Sequence, residues 1–146
     1  MDKQLLLDTL KNIISEKIQQ LDQLIEETRA SNNDTKSSMG DKYETGREML
    51  QQEINNLSVQ KSEVQKQMDS LSKLNAQPTH KVTHGSLVKT TNAWFYIAAS
   101  AGPVNFDQQK IMTISPLAPI AVAMMNKIEG EEFSFNNIKQ TIVTIL

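Results

Sequence analysis

Leu7, Leu10, Ile14, Ile18, Leu21, Leu24 and Ile25 stand three or four positions apart, with Lys, Gln, Asp and Glu between them. That spacing lays them along one stripe of an α-helix, and neither Gly nor Pro interrupts residues 1–39. A second stripe starts at Tyr43 and runs through Leu50, Ile54, Leu57, Val64, Met68 and Leu71. Its steps alternate between four and three, as a coiled-coil seam requires, with Lys61 as the one charged seam position. Between the stripes lies the polar run 30–38, whose Ser, Asn, Asp and Thr side chains compete for backbone hydrogen bonds and cap helices better than they extend them. Two stripes of about thirty residues flanking about ten polar ones fold most simply into an antiparallel hairpin, roughly 45 Å long at 1.5 Å per residue. The competing arrangement, a straight dimerising rod, would place Ser31, Asn32, Asn33 and Asp34 in mid-helix. A hairpin with its tip near residues 31–42, in a monomer, is therefore expected.

Near residue 75 the period changes, so the 146 residues divide into an arm, 1–75, and a second domain, 76–146. Residues 1–74 hold 10 Lys or Arg against 13 Asp or Glu, and residues 75–146 hold 5 against 4. Neither half has the basic excess of a protein that grips a phosphate backbone unaided, which argues against free DNA or RNA as the primary partner. With no cysteine, the fold has neither disulfides nor thiolate metal sites. The first residues, acidic at Asp2 and Asp8 with one short leucine run, lack the basic and apolar regions of a secretory signal. No stretch reaches the roughly 20 apolar residues of a membrane span. A cytoplasmic location is expected.

After Pro78, which ends the helical ladder, short β-prone runs occupy 86–90, 94–98, 110–114, 131–135 and 141–146. Asn92, Gly102-Pro103, Gly130 and Asn136-Asn137 separate them, and 118–125, rich in Ala and Met, reads as a short covering helix. Four or five strands with one helix make a small α+β domain. Trp94, Phe95 and Tyr96 are read as core packing, the alternative being an aromatic pocket for a peptide or proline ring. His80 and His84 have a helical metal spacing but follow Pro78 in an extended stretch without acid or thiol nearby, so no metal site is expected.

Two local motifs add to this order of elements. The first is Ile114-Ser115-Pro116-Leu117-Ala118-Pro119-Ile120-Ala121, followed by Ala123-Met124-Met125-Asn126-Lys127 and Gly130-Glu131-Glu132-Phe133; the second is Tyr43-Glu44-Thr45-Gly46-Arg47-Glu48. Together they resemble the Gre transcript-cleavage factors, in which a strand, a Ser-Pro turn, a short helix, a Lys and a Gly-acid pair follow a hairpin. Asn126 replaces the Gly usual before that Lys. The resemblance implies an N-terminal antiparallel coiled-coil hairpin and a C-terminal FKBP-like β-rich domain. It also implies a non-enzymatic factor whose partner is RNA polymerase core enzyme, entered through the secondary channel, with Tyr43, Arg47, Ser115 and Pro116 as contact residues.

Cleavage-competent members of that family carry an acidic pair at the tip that helps hold a Mg²⁺ ion shared with the polymerase, since a hard cation favours carboxylate oxygens. Counting back from Tyr43, those positions fall on Lys36 and Met39, which cannot ligate Mg²⁺. Asp34, Asp41 and Glu44 are the remaining tip candidates, and their plainer role is helix capping. A regulator of elongation or initiation, rather than a stimulator of cleavage, is expected, with no cofactor of its own. The alternatives are a chaperone-like or peptide-binding protein and, by fold analogy alone, a prolyl isomerase.

Overall fold

The structure, a computed structural model, describes residues 1–37 and 44–146, with side chains for all of these except 33–37, 44 and 45. Two helices, α1 (Lys3–Ser37) and α2 (Glu44–Ser72), form a hairpin and precede a six-stranded β domain. The latter comprises β1 (Leu87–Thr90), β2 (Trp94–Ile97), β3 (Gly102–Phe106), β4 (Gln109–Ile114), α3 (Pro119–Met124), β5 (Glu132–Phe135) and β6 (Ile138–Ile145). The chain forms two compact units, one of residues 14–66 and the other of residues 1–13 with 67–146. This division differs from the sequence boundary at 75/76, because the first turns of α1 and the last of α2 belong to the same body as the sheet.

In the unit 14–66, α1 and α2 run antiparallel, and the charged seam position finds its counterpart there: Lys61 Nζ lies 2.5 Å from Asp22 Oδ1. Ile14, Ile25 and Ile54 are buried along the seam. Leu24, expected on the stripe, is instead 46% exposed, since Leu21 and Ile25 already keep the seam spacing and Leu24 falls to one side. The expected break at 30–38 is not a break as far as Ser37, because α1 stays helical through Ser31 and Asn32. Weak helix propensities of a few tenths of a kcal/mol per residue do not end a helix that contains neither Gly nor Pro.

In the other unit, Asp2 starts α1 by accepting the Leu5 N–H at its Oδ1 (3.0 Å), as an N-cap does. Lys3, the first residue of the helix, is buried and its Nζ donates to the main-chain oxygens of Gln77 and Leu146, each at 2.9 Å. His84, half-buried, places Nε2 3.1 Å from the Ala98 carbonyl and 3.3 Å from Ser70 Oγ. It thus ties the end of α2 to β2, a structural role that accounts for its place after Pro78.

The sheet order is β3-β4-β2-β1-β6-β5, and all neighbours are antiparallel except β2 and β4. Five of the strands fall where the sequence pattern places them; β3 is the one missed. Gly102-Pro103 reads as a separator, yet β3 is an edge strand, where a proline without an N–H costs no ladder bond. Two-residue turns close both outer hairpins, with positive φ at Asp107 and Gln108 and at Asn136 and Asn137. Turns of this handedness match the twist of the strands they join. Between β2 and β3 the chain skips across the end of β4, held there by Thr113, whose Oγ1 accepts the Ala101 N–H (2.9 Å) and donates to the Gly102 carbonyl (2.6 Å).

Both faces of the central strands are buried. Val88, Phe95, Ile97, Ile142 and Ile145 pack with Ala121 and Met124 of α3 and with Val82. Leu87, Tyr96 and Ile111 point the other way and are fully buried. Phe95 and Tyr96 are therefore core residues, as expected, whereas Trp94 at the start of β2 is only half-buried.

The Tyr96 hydroxyl is buried without a hydrogen-bond partner among the described residues. Burial pushes its pKa from 10.0 up to about 12, so the folded chain keeps a proton that the unfolded chain loses. The associated stability is fully present below pH 10 and is lost as pH rises to about 12, about 3 kcal/mol in all. Burial holds Lys3 below its ordinary 10.5, which acts in the opposite sense as pH approaches that value, so the tyrosine contribution is read as a difference between two proteins. Urea denaturation of Tyr96→Phe at neutral pH should give a protein at least as stable as the parent, with a gain of about 1 kcal/mol from removing an unpaired hydroxyl. The gain should grow between pH 10 and 12 as the parent weakens. A loss above about 1 kcal/mol at neutral pH would mean that the hydroxyl has a partner.

Candidate docking site

The segment 115–128 connects β4 to β5, and its geometry is set by four local devices. Ser115 opens a turn in which its carbonyl accepts the Ala118 N–H (3.0 Å) and its Oγ accepts the Leu117 N–H (3.1 Å). Pro116 at the second turn position fixes φ in advance, and Leu117 follows at the apex. Ala118, extended with φ −60° and ψ 141°, then serves as the N-cap of α3, with Pro119 in the first turn, where its missing N–H is no loss. At the far end Asn126 takes φ +65°, a left-handed conformation that Asn tolerates better than most residues.

The ends of the segment are clamped to the domain. The Asn126 N–H donates to the Val82 carbonyl, and the Val82 N–H donates to the Lys127 carbonyl, both at 2.9 Å. The Ala98 N–H donates to the Ile114 carbonyl at 2.9 Å, holding the start of the turn against the end of β2. Ala121 and Met124 are fully buried beneath α3, with Ala118, Ile120 and Ala123 packed against the same core. Gly130, at φ +90°, donates its N–H to the Ile142 carbonyl at 2.8 Å, and the acids that follow it open β5. Lys127 reaches Glu131 at 3.9 Å.

Apart from Asn126, what the segment leaves exposed is apolar. Leu117 is 85% exposed and Val122 59%, and Ile128 is exposed as well. An apolar side chain at the apex of a turn fixed by proline loses little entropy on binding, which favours docking into a partner's pocket. The segment contains no nucleophile paired with a base, and among the described residues no group of three or more His, Asp or Glu could hold a metal ion.

Of the residues that the sequence singles out, Ser115 and Pro116 come together in this turn. Arg47 lies on α2 in the other unit and is half-buried. Asp41 and Tyr43 lie outside the described residues, as do the side chains of Asp34 and Glu44, so the tip candidates have no described geometry. Sequence reasoning missed Leu117. The available signal was a large aliphatic residue directly after Ser-Pro and outside the periodic pattern of both neighbouring elements.

Replacing Asn126 tests the segment's closure. Asn126→Ala should cost about 1 kcal/mol in chemical denaturation and Asn126→Gly close to nothing, because only the first places a Cβ without a compensating side chain in the left-handed region. Equal costs for the two variants would show that the positive φ at this position does not contribute to stability.

No protein-family model matches the chain, and no curated protein matches it. Among solved structures, the chain is similar to the transcription factor Gfh1, with 16% identity over 92% of each chain and a TM-score of 0.38. It is also similar to GreA factor homolog 1 of Thermus thermophilus, with 17% identity over 93% of this chain and 94% of that one and a TM-score of 0.36. For Gfh1 of Thermus aquaticus the identity is 18% over 90% of each chain, with a TM-score of 0.33. With TM-scores below 0.5, none of the three bears on the reading of function.

Proposed function

We propose that this chain is a Gre-like regulator that binds RNA polymerase core enzyme through its secondary channel and modulates elongation or initiation without being an enzyme itself. The reading is carried by the turn at 115–118, where a rigid main chain, set by Pro116 and clamped at Ile114 and Asn126, presents an 85% exposed leucine. It is supported by the two sequence motifs, which occur in the order that the Gre resemblance requires: residues 44–48 of the first start α2, and the second runs from β4 through α3 to β5. Ser115, Pro116, Tyr43 and Arg47 are the proposed contacts. Among the described residues no helix is long and apolar enough to cross a membrane. We take the protein to act as a monomer.

Transcript cleavage is not part of the proposal. It would need two carboxylates sharing a Mg²⁺ ion of the polymerase, and the register set by Tyr43 places Lys36 and Met39 where those acids belong. Backtracked elongation complexes mixed with the protein should keep their RNA at full length. Strong Mg²⁺-dependent shortening that disappears in Asp34→Asn or Asp41→Asn, with binding retained, would overturn this point.

The chaperone-like reading has one observation in its favour. On the hairpin unit, Leu21, Leu24, Val59 and Val64 line an apolar groove of about 440 Å³, with Val59 63% exposed. A Val59→Glu variant that lost the power to keep an unfolded client in solution, while polymerase binding was absent from the parent, would favour that reading.

Titration against core polymerase decides the proposal. Ser115→Ala with Pro116→Ala should weaken binding about tenfold or more, whereas replacing the exposed Lys73 by Ala should leave it unchanged. Removing residues 31–42 should retain docking through the turn but abolish the effect on transcription. Equal affinities for the folded Ser115/Pro116 and Lys73 variants would mean that Pro116 only ends a strand.

A further inference from the structure

At the end of β2 opposite the Ser115 turn, a groove of about 490 Å³ opens beside the β1–β2 turn and the start of β4. Its lining includes Lys89, Thr91, Asn92, Trp94, Gln109 and Lys110. The volume lies in the range of small-molecule sites, roughly 300–1,000 Å³. In a chain of net charge −2 this is a cationic place, since two lysines line the groove and no carboxylate does. Neither lysine belongs to an ion pair among the described residues. Lys89 instead rests its Nζ 5.6 Å from the centroid of the Trp94 ring, a cation–π contact.

The main chain around the groove is held in place. The Thr90 hydroxyl is buried at the centre of the turn, accepting the Asn92 N–H (3.1 Å) and the Ala93 N–H (3.2 Å) while donating to Gln140 Oε1 (2.8 Å). The next residue is tied to β6 from both sides: the Thr91 N–H donates to the Thr141 carbonyl (3.0 Å), and Thr91 Oγ1 accepts the Thr141 N–H (3.2 Å). Asn92 and Trp94 are thus set by a rigid turn, whereas Lys89 and Lys110 are exposed, flexible stems.

From this arrangement we propose that the groove binds a nucleoside di- or triphosphate. Each feature of such a ligand has a counterpart. Lys89 and Lys110 leave the sheet on opposite faces, from strands that flank β2, and both line the groove, so their ammonium groups can approach a phosphate chain from its two sides. The half-buried indole offers a face for the base, and the side-chain amides of Asn92 and Gln109 can donate to and accept from a base edge. The stem of Lys89 allows its ammonium to leave the ring for a phosphate oxygen, so an arriving base exchanges one contact with the indole for another. An acidic peptide would use the lysines and could pair its main chain with the amides, but without an aromatic residue it would leave the indole face without a matching group. The site is independent of the polymerase reading and can be tested on the protein alone.

Trp94 is the only tryptophan in the chain, so its fluorescence reports the groove directly. Titration of the full chain at low salt with ADP and ATP should give a saturable change, with half-saturation below about 1 mM. Adenosine and inorganic pyrophosphate, each lacking half of the ligand, should bind at least about tenfold more weakly, and Lys110→Ala or Lys89→Met should weaken ADP binding about tenfold with the circular dichroism spectrum unchanged. The proposal is overturned by no saturable response to ADP or ATP, by pyrophosphate or a hexaglutamate peptide binding as tightly as ADP, or by an affinity for ADP that neither lysine variant alters.

Discussion

The β domain is organised by the burial of β2 on both faces. Phe95 and Ile97 face the core beneath α3, Tyr96 faces the other way, and all three are at least nine-tenths buried. A strand in that position must pair on both edges or leave its amides unsatisfied, and it does so with β1 on one side and β4 on the other. Because β4 runs parallel to β2, the two candidate sites fall at opposite ends of the same strand pair. The turn that presents Leu117 lies at the C-terminal end, where Ala98 holds Ile114, and the Lys89–Trp94–Lys110 groove lies at the N-terminal end. The register Phe95↔Met112 and Ile97↔Ile114 therefore fixes where both can be.

Much of this was legible from the residues because the period carried it. The helical stripes gave α1 and α2, and five strands fell within a few residues of their β-prone runs. β3 escaped because Gly102 and Pro103 are read as punctuation unless the strand is known to lie at an edge, and edge position is a property of the whole sheet. The helical state of Ser31 and Asn32 escaped for a related reason, since the residue types favour a break but the hairpin around them decides the outcome. The positive φ of Asn126 was legible, because the resemblance had placed a Gly there and Asn is the usual substitute.

The candidate sites were less legible. Ser115 and Pro116 announced a turn, but the exposure of Leu117 depends on Ala118, Ile120 and Ala123 all turning inward, which no local pattern states. Lys89 and Lys110 are twenty-one residues apart in sequence, and only the parallel pairing of β2 with β4 brings Lys110 to the groove that Lys89 shares with Trp94. The aromatic trio shows the same limit. Its neighbours in sequence are alike, yet the position along β2 gives Phe95 and Tyr96 to the core and leaves Trp94 at the rim of a groove.

The central claim, that the Leu117 turn docks on RNA polymerase, is tested most directly by contact. A photo-crosslinking amino acid placed at position 117, irradiated in the presence of core enzyme, should attach the protein to a polymerase subunit beside the mouth of the secondary channel. An excess of unmodified protein should suppress that product. If the same residue at position 73 crosslinks as efficiently, or if position 117 gives no product although the protein is bound, the turn is not the docking site and the account is wrong.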